Sequence, residues 1–391
     1  MPLLLGASAV LGLALGISAA GVLPGRLPLA DVSTDPADGY PLRIARPWMI
    51  RDLPARPGPV AGLLRSDESW LAVSPHGRLW ELADDDDRFD VAPAVSDDGR
   101  VLAYLRTSED GFGEYVLRDL TTGVITAFPS VSSAGSESDA TFWAAEQHPA
   151  YVSPDGDQVL VRGGRTNGRD ADGLLLSVDA GVRELFVAGP VHAAGWLRDG
   201  RLAWLDSTDE RRPAVIVTTD TGEAARRTRL AVDHRIELTQ WSARASPDGG
   251  YVALTEKLDG RGFVGRFSLR TGLEVDRSDV VADAVIDNCP TSWRGEDLTV
   301  PTTTGDETTF STGVALVDPR SAPVVLADPR LNVGCSLWAS QALDGDVHRG
   351  LSGRIFDDSQ VWWSWWWREL AAVVLIGFAI VGAWWRRTPT G

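Results

Sequence analysis

A tight polar turn between apolar runs constrains this chain most, because it returns at a nearly fixed interval. In Tyr151-Val152-Ser153-Pro154-Asp155-Gly156-Asp157-Gln158-Val159-Leu160-Val161, two apolar runs flank Ser-Pro-Asp-Gly, and those four residues recur at Ser246 to Gly249. Proline presets φ near about −65°, and glycine supplies the positive φ that a side chain resists. Each unit therefore reads as a β-hairpin. Related turns are Ser96-Asp97-Asp98-Gly99, Leu197-Arg198-Asp199-Gly200, Trp293-Arg294-Gly295-Glu296 and Ala342-Leu343-Asp344-Gly345. Their glycines, at 99, 156, 200, 249, 295 and 345, are spaced by 57, 44, 49, 46 and 50 residues.

A second turn travels with the first. Gly123, Gly181, Gly222 and Gly272 follow their hairpin glycines by 24, 25, 22 and 23 residues, each between two further strand-like runs. In the Gly295 repeat the matching turn is Asp318-Pro319-Arg320. Two turns at constant offset give four strands per repeat, and such a sheet buries its faces only by stacking radially on neighbours. The expected fold is all-β, a six-bladed β-propeller, with seven blades the alternative if residues 40–64 supply strands despite their prolines. The half-repeat around 69–82 resembles a second hairpin, and the repeat around Gly345 shows only a first one. The two ends are therefore expected to share one closing blade, strands a and b from residues 334–356 and strands c and d from 69–82.

Ser-Pro-Asp-Gly followed by an apolar strand, repeated at this spacing, resembles the TolB-type, WD40-like propeller repeats of bacterial envelope proteins, over roughly residues 59–356. The resemblance implies a propeller fold and, for most such proteins, an interaction platform. It does not imply a reaction, because propellers carry many unrelated activities.

The flanks point to the cell envelope. Residues 1–23 are apolar, with Ser18-Ala19-Ala20 ahead of Gly21 as a small-residue cleavage site, so a signal peptide or an uncleaved transmembrane helix both fit. Residues 24–60 hold eight prolines and read as a linker or strap, and 61–356 as the propeller. Residues 357–367 form a Trp-rich juxtamembrane segment. In 368–385, the uninterrupted apolar run Leu370 to Ala383 is bracketed by Trp362, Trp363, Trp365, Trp366 and Trp367 before it and Trp384 and Trp385 after it. Eighteen residues of helix rise about 27 Å, close to the hydrocarbon thickness, and tryptophan favours both interfaces. The tail 386–391, with Arg386 and Arg387, is expected in the cytoplasm and the propeller outside it.

The net charge of −17 argues against a nucleic-acid partner. No phosphate-binding glycine loop with its lysine, His-Glu-x-x-His, Gly-x-Ser-x-Gly or Cys-x-x-Cys occurs, so no catalytic residue is assigned. Four positions do keep register. His148, His192, Trp241 and Asp287 each precede a hairpin glycine by eight residues and would ring one mouth of the channel. Two histidines and a carboxylate there could hold a metal, and the indole could floor a ligand pocket. The consecutive Asp84 to Asp87 lack the alternate spacing of a calcium loop and read as a solvated linker. The Arg211-Arg212 and Arg226-Arg227 pairs read as solvated outer-strand charge, with a basic patch for an acidic partner the alternative. The favoured function is thus a membrane-anchored, non-catalytic scaffold binding an envelope protein or small ligand, without a cofactor. The alternative is a metal-dependent propeller hydrolase or lactonase at the channel mouth.

The only cysteines, Cys289 and Cys335, fall at or just before the innermost strands of consecutive expected blades. An exported protein with this even count favours a disulfide. Closing 46 residues of chain, from 289 to 335, it would stabilise by about 4 kcal/mol. Thiol counting on the denatured, unreduced protein is expected to find none; two reactive thiols would exclude the bridge.

Overall fold

The computed structural model describes residues 36–348 except 45–49, 67–68, 83–92, 108–112, 130, 134–141, 145–149, 163–164, 167–168, 188–190, 210, 233–237, 259–260, 280–290, 301–315, 318–322, 328–330 and 332–334. Three short strands open it: β1 (Gly39–Pro41), β2 (Arg43–Ile44) and β3 (Arg51–Asp52). Then come β4 (Gly62–Arg65), β5 (Trp70–Val73) and β6 (Leu79–Glu81). The Gly99 repeat gives β7 (Ala94–Val95), β8 (Val101–Thr107), β9 (Gly113–Asp119) and β10 (Ile125–Phe128), followed by the parallel pair β11 (Val131–Ser133) and β12 (Phe142–Ala144). The Gly156 repeat gives β13 (Tyr151–Val152) and β14 (Gln158–Arg162), the small hairpin β15 (Arg165–Thr166) and β16 (Arg169–Asp170), then β17 (Gly173–Ser177) and β18 (Gly181–Leu185). The Gly200 repeat gives β19 (Val191–Trp196), β20 (Leu202–Asp206), β21 (Ala214–Thr218) and β22 (Ala224–Arg229). The Gly249 repeat gives β23 (Leu238–Ala245), β24 (Tyr251–Leu258), β25 (Arg261–Ser268) and β26 (Glu274–Asp279). The chain ends with β27 (Ser292–Arg294), β28 (Asp297–Thr299), β29 (Leu316–Val317), β30 (Pro323–Ala327), β31 (Cys335–Trp338), helix α1 (Ser340–Asp344) and β32 (Asp346–His348).

Four repeats fold as antiparallel four-stranded sheets in the expected strand order, and their turn glycines take positive φ, 82° at Gly156 for example. The serine explains why the signature is Ser-x-Asp-Gly. Ser246 Oγ donates to Asp248 Oδ1 at 2.6 Å and accepts the Tyr251 N–H at 2.8 Å, so the side chain fastens the start of the second strand to the end of the first. Asp248 in turn accepts the Gly250 N–H at 3.0 Å. Ser96 and Asp98 repeat the same pattern.

The expected blade count is corrected. Among the described residues five sheets have four or more strands, neither six nor seven. Among the described residues, the Gly295 repeat forms the two-stranded sheet β27–β28, while β29 and β30 join β2 in a separate three-stranded sheet. Pro301 stands two residues beyond β28 and has no N–H with which to extend that ladder.

The shared closing sheet is present, but its division differs from the expected two-and-two. Its order is β3-β6-β5-β4-β31, so the C-terminal part supplies one innermost strand and the N-terminal part the rest. The Leu-Asp-Gly at 343–345 is not a hairpin turn. Residues 340–344, rich in helix formers, wind into α1, and Gly345 has φ −79°, outside the left-handed region. The following β32 pairs in parallel with β1. The proline-rich segment is a strap: β1 lies on β32, β2 on β30 and β3 on β6, each in parallel. Proline is tolerated there because these are edge positions. Tyr40 and Ile44 anchor the strap in the main hydrophobic core.

The Gly295 hairpin is wedged against the closing sheet. The Trp338 N–H donates to Ser292 Oγ at 3.1 Å, and Trp293 and Trp338, 2% and 1% exposed, bury their rings at this seam. Trp338→Ala is expected to destabilise the protein by about 3–5 kcal/mol, because it removes a fully buried indole and leaves a cavity in the core. Urea unfolding checks this, and a loss below about 1 kcal/mol would show that the seam does not hold the ring closed.

Candidate functional site

The innermost strands of the five large sheets and of the Gly295 hairpin converge on one cavity. Val95, Tyr151, Trp196, Ala245, Trp293 and Trp338 each contribute to its wall. All lie at the turn-side end of their first strands, so this is the mouth where the Ser-x-Asp-Gly turns gather. Asp97, Arg244 and Ser340 supply its charged and polar lining. Space for water inside amounts to about 20 Å³, enough for a water molecule and far below the size of a substrate pocket.

Local sequence places these groups. Asp97 occupies the turn position held by Pro154 and Pro247 in two other repeats, which exchanges a rigid ring for a carboxylate at the axis. Arg244 and Tyr151 share a register, two residues before the turn serine, and the Arg244 guanidinium lies 5.2 Å from the centre of the Tyr151 ring. Gly195, at φ 119° beside a bulge in β19, takes a backbone conformation that favours glycine where β19 passes the Tyr151 ring. Tyr151 is fixed further by donating to the Ala193 carbonyl at 3.1 Å and accepting Trp196 Nε1–H on its own carbonyl at 2.9 Å.

Helix α1 lies beside this mouth. The Gln341 N–H donates to the Asp97 carbonyl at 2.9 Å, and Ala342 and Leu343 are buried. At the helix's far end Asp344 accepts the Gly295 N–H and faces Arg198 across 3.9 Å. The mouth is thus bounded by two carboxylates and two guanidinium groups. Burial raises the Asp97 pKa, against the lowering pull of Arg244, the Ser340 hydroxyl and Arg198. Burial also pushes the Tyr151 phenol up to about 12, with Arg244 opposing.

Of the four expected ring positions, His192 and the backbone of Trp241 fall among the described residues, His192 at the end of β19 away from the turn. His192 is the second residue of β19, half-buried, paired with Leu205, and its Nδ1 has no partner among the described residues. Burial, then Arg162, lowers its pKa and keeps it neutral at neutral pH. Trp241 lies in β23, where the register with β24 shifts between Leu238 and Ala243. His148, Asp287 and Cys289 lie outside the described residues, and with them the four-position ring and the Cys289–Cys335 bridge. Cys335 opens β31 opposite Arg65. Asp84 to Asp87, residues 1–23 and the apolar segment 368–385 are likewise outside. Among the described residues, no group of three or more His, Cys, Asp or Glu is placed to hold a metal, and no helix is long and apolar enough to cross a membrane. Asp97 and Arg244 escaped the sequence reading; the signal available was the departure from proline at position 97.

No family model matches the chain, and no curated protein does. Among solved structures, TolB from Acinetobacter baumannii is similar at 17% identity and TM-score 0.44, over 65% of this chain and 60% of that one. A chain of a nidogen/laminin complex aligns at 12% identity and TM-score 0.47, over 72% of this chain and 100% of that one. The Dos1 propeller aligns at 15% identity and TM-score 0.36, over 67% and 66%. This chain therefore spans about 60% of the length of the Acinetobacter TolB. The radial sheets with their innermost strands around one cavity define the class: an all-β propeller.

Because its folded pKa is raised, Asp97 contributes most favourably when protonated, and that contribution is lost as pH rises from about 4 through the folded value. Asp97→Asn removes the loss. Its urea midpoint relative to wild type is expected to rise between pH 4 and pH 7; a fall over that interval would show that the Arg244 pairing outweighs burial.

Proposed function

We propose that the protein is a non-catalytic binding scaffold of the cell envelope. In this reading residues 368–385 anchor it in the membrane, the propeller lies on the extracytoplasmic side, and a propeller face engages an envelope protein. The observation that carries the reading is the size of the axial cavity. Groups that could do chemistry meet there, but the space admits a water molecule and no substrate. What the mouth offers is its surface: charged turns such as Arg198-Asp199, exposed around a rigid seam. A partner that docks there would meet opposite charges already held in place, so little ordering cost opposes binding.

The competing reading, a metal-dependent hydrolase or lactonase, has one observation in its favour, the neutral His192 with its unpartnered Nδ1 at the other mouth. It needs His148 and Asp287 to converge on His192, and stoichiometric metal in the purified extracytoplasmic part would establish it.

Protease added to intact spheroplasts is expected to digest the propeller while a tag after Gly391 stays protected. A photo-cross-linking residue at exposed Asp199 is expected to give a discrete adduct in intact cells. A protected propeller, or an adduct unaffected by Arg198→Glu, would contradict the proposal.

A further inference from the structure

The strap shows that outer strands of this ring accept an added strand. Both β30 and β6, outermost in their own sheets, carry one from the chain's N-terminal part, in parallel. In the Gly200 repeat the outermost strand is β22, and no described strand covers its free edge. Of its six residues only Thr228 is even partly buried.

Its charge sets β22 apart. Arg227 is taken by the buried carboxylate of Asp206. Arg226 and Arg229 are exposed and pair with no carboxylate among the described residues. Arg211 and Arg212 lie near them, balanced in sequence by Asp209 and Glu210, with Asp209 accepting the Arg211 N–H at 3.1 Å. Both arginines are exposed in the β20–β21 loop, and the Ala214–Arg229 register, with Leu230 N–H donating to the Pro213 carbonyl at 2.9 Å, brings that loop to the Arg229 end of the strand. On the other outer strands the arginines are engaged: Arg183 by Asp220, and Arg277 by Glu274. The edge of β22 carries no added strand among the described residues. Only at its end does the Gly272 turn of the next repeat reach it, against the Arg229 carbonyl and accepting the Ala231 N–H at 2.8 Å. Two arginines without a carboxylate partner among the described residues stand out on it in a chain of net charge −17.

We propose that β22 is a strand-addition site for an acidic, extended segment of a partner protein. The free backbone edge supplies directional hydrogen bonds, as in other strand-addition complexes. Arg226 and Arg229, three residues apart, project to opposite faces of the strand and would meet carboxylates on both faces of the added one. A lipid surface fits less well, since headgroups do not use a row of alternating N–H and C=O groups. The surface is independent of the axial mouth. Arginines on an edge disfavour pairing with uncharged or basic strands and leave an acidic strand as the one they accept.

The test uses the full chain in detergent, a labelled peptide alternating aspartate with threonine, and a serine-for-aspartate control. The acidic peptide is expected to bind saturably, weaken with salt, and slow hydrogen exchange of amides in residues 224–229. Arg226→Glu with Arg229→Glu is expected to weaken binding by about tenfold or more while leaving the unfolding midpoint unchanged. Equal binding of the control, no loss in the double variant, or binding without protection of 224–229 would overturn the proposal. Tighter capture by anionic phosphatidylglycerol vesicles than by the peptide would do the same.

Discussion

The ring depends on one small hydrogen-bonded device, the turn serine that receives the first N–H of the second strand and gives its own proton to the aspartate two residues on. Ser96, Ser153 and Ser246 are all buried, and each accepts that amide: Val101 N at 2.9 Å, Gln158 N at 2.9 Å and Tyr251 N at 2.8 Å. A buried hydroxyl of this kind costs about 1–3 kcal/mol if its partners are lost. The device stands at the axis, and it matters most where the first strand is too short to be held by its own ladder: β7 and β13 are two residues each. The fixed turns then stack: Arg198 N–H reaches the Pro247 carbonyl at 2.7 Å, and Gly249 rests on Leu197.

The same dependence explains which parts of the fold were legible. Turn glycines report a local backbone demand, so Gly99, Gly156, Gly200, Gly249 and Gly295 marked hairpins correctly from their neighbours alone. Gly345 shares the preceding aspartate but ends a helix, and the difference lies in Ser340–Asp344 and in what those residues pack against. The strands β1 to β3 were hidden for another reason. They are two or three residues long, lie in a proline-rich segment, and exist because distant edges accept them. The site followed the same logic. Asp97 and Arg244 are far apart in sequence, and nothing local announces a meeting made by ring closure. The register of His192 was legible, but register cannot say which end of a first strand carries the cavity.

Closure therefore links fold to proposed function. The innermost strand of the closing sheet comes from β31 and its other strands from the N-terminal part, so one strand seals the ring and, through the helix that follows it, sets one wall of the axial mouth. Opening that seam would separate Ser340 from Asp97 and release the Gln341–Asp97 backbone bond. A partner gripping the mouth would find its surface preformed only while the seam holds.

The most direct test is native-state hydrogen exchange at the seam. If β31 completes the closing sheet, amides of residues 62–65 and 335–338 exchange together, with one opening free energy, and lose protection together at the same urea concentration. Protection of 62–65 that persists after 335–338 has become unprotected would contradict closure by this strand.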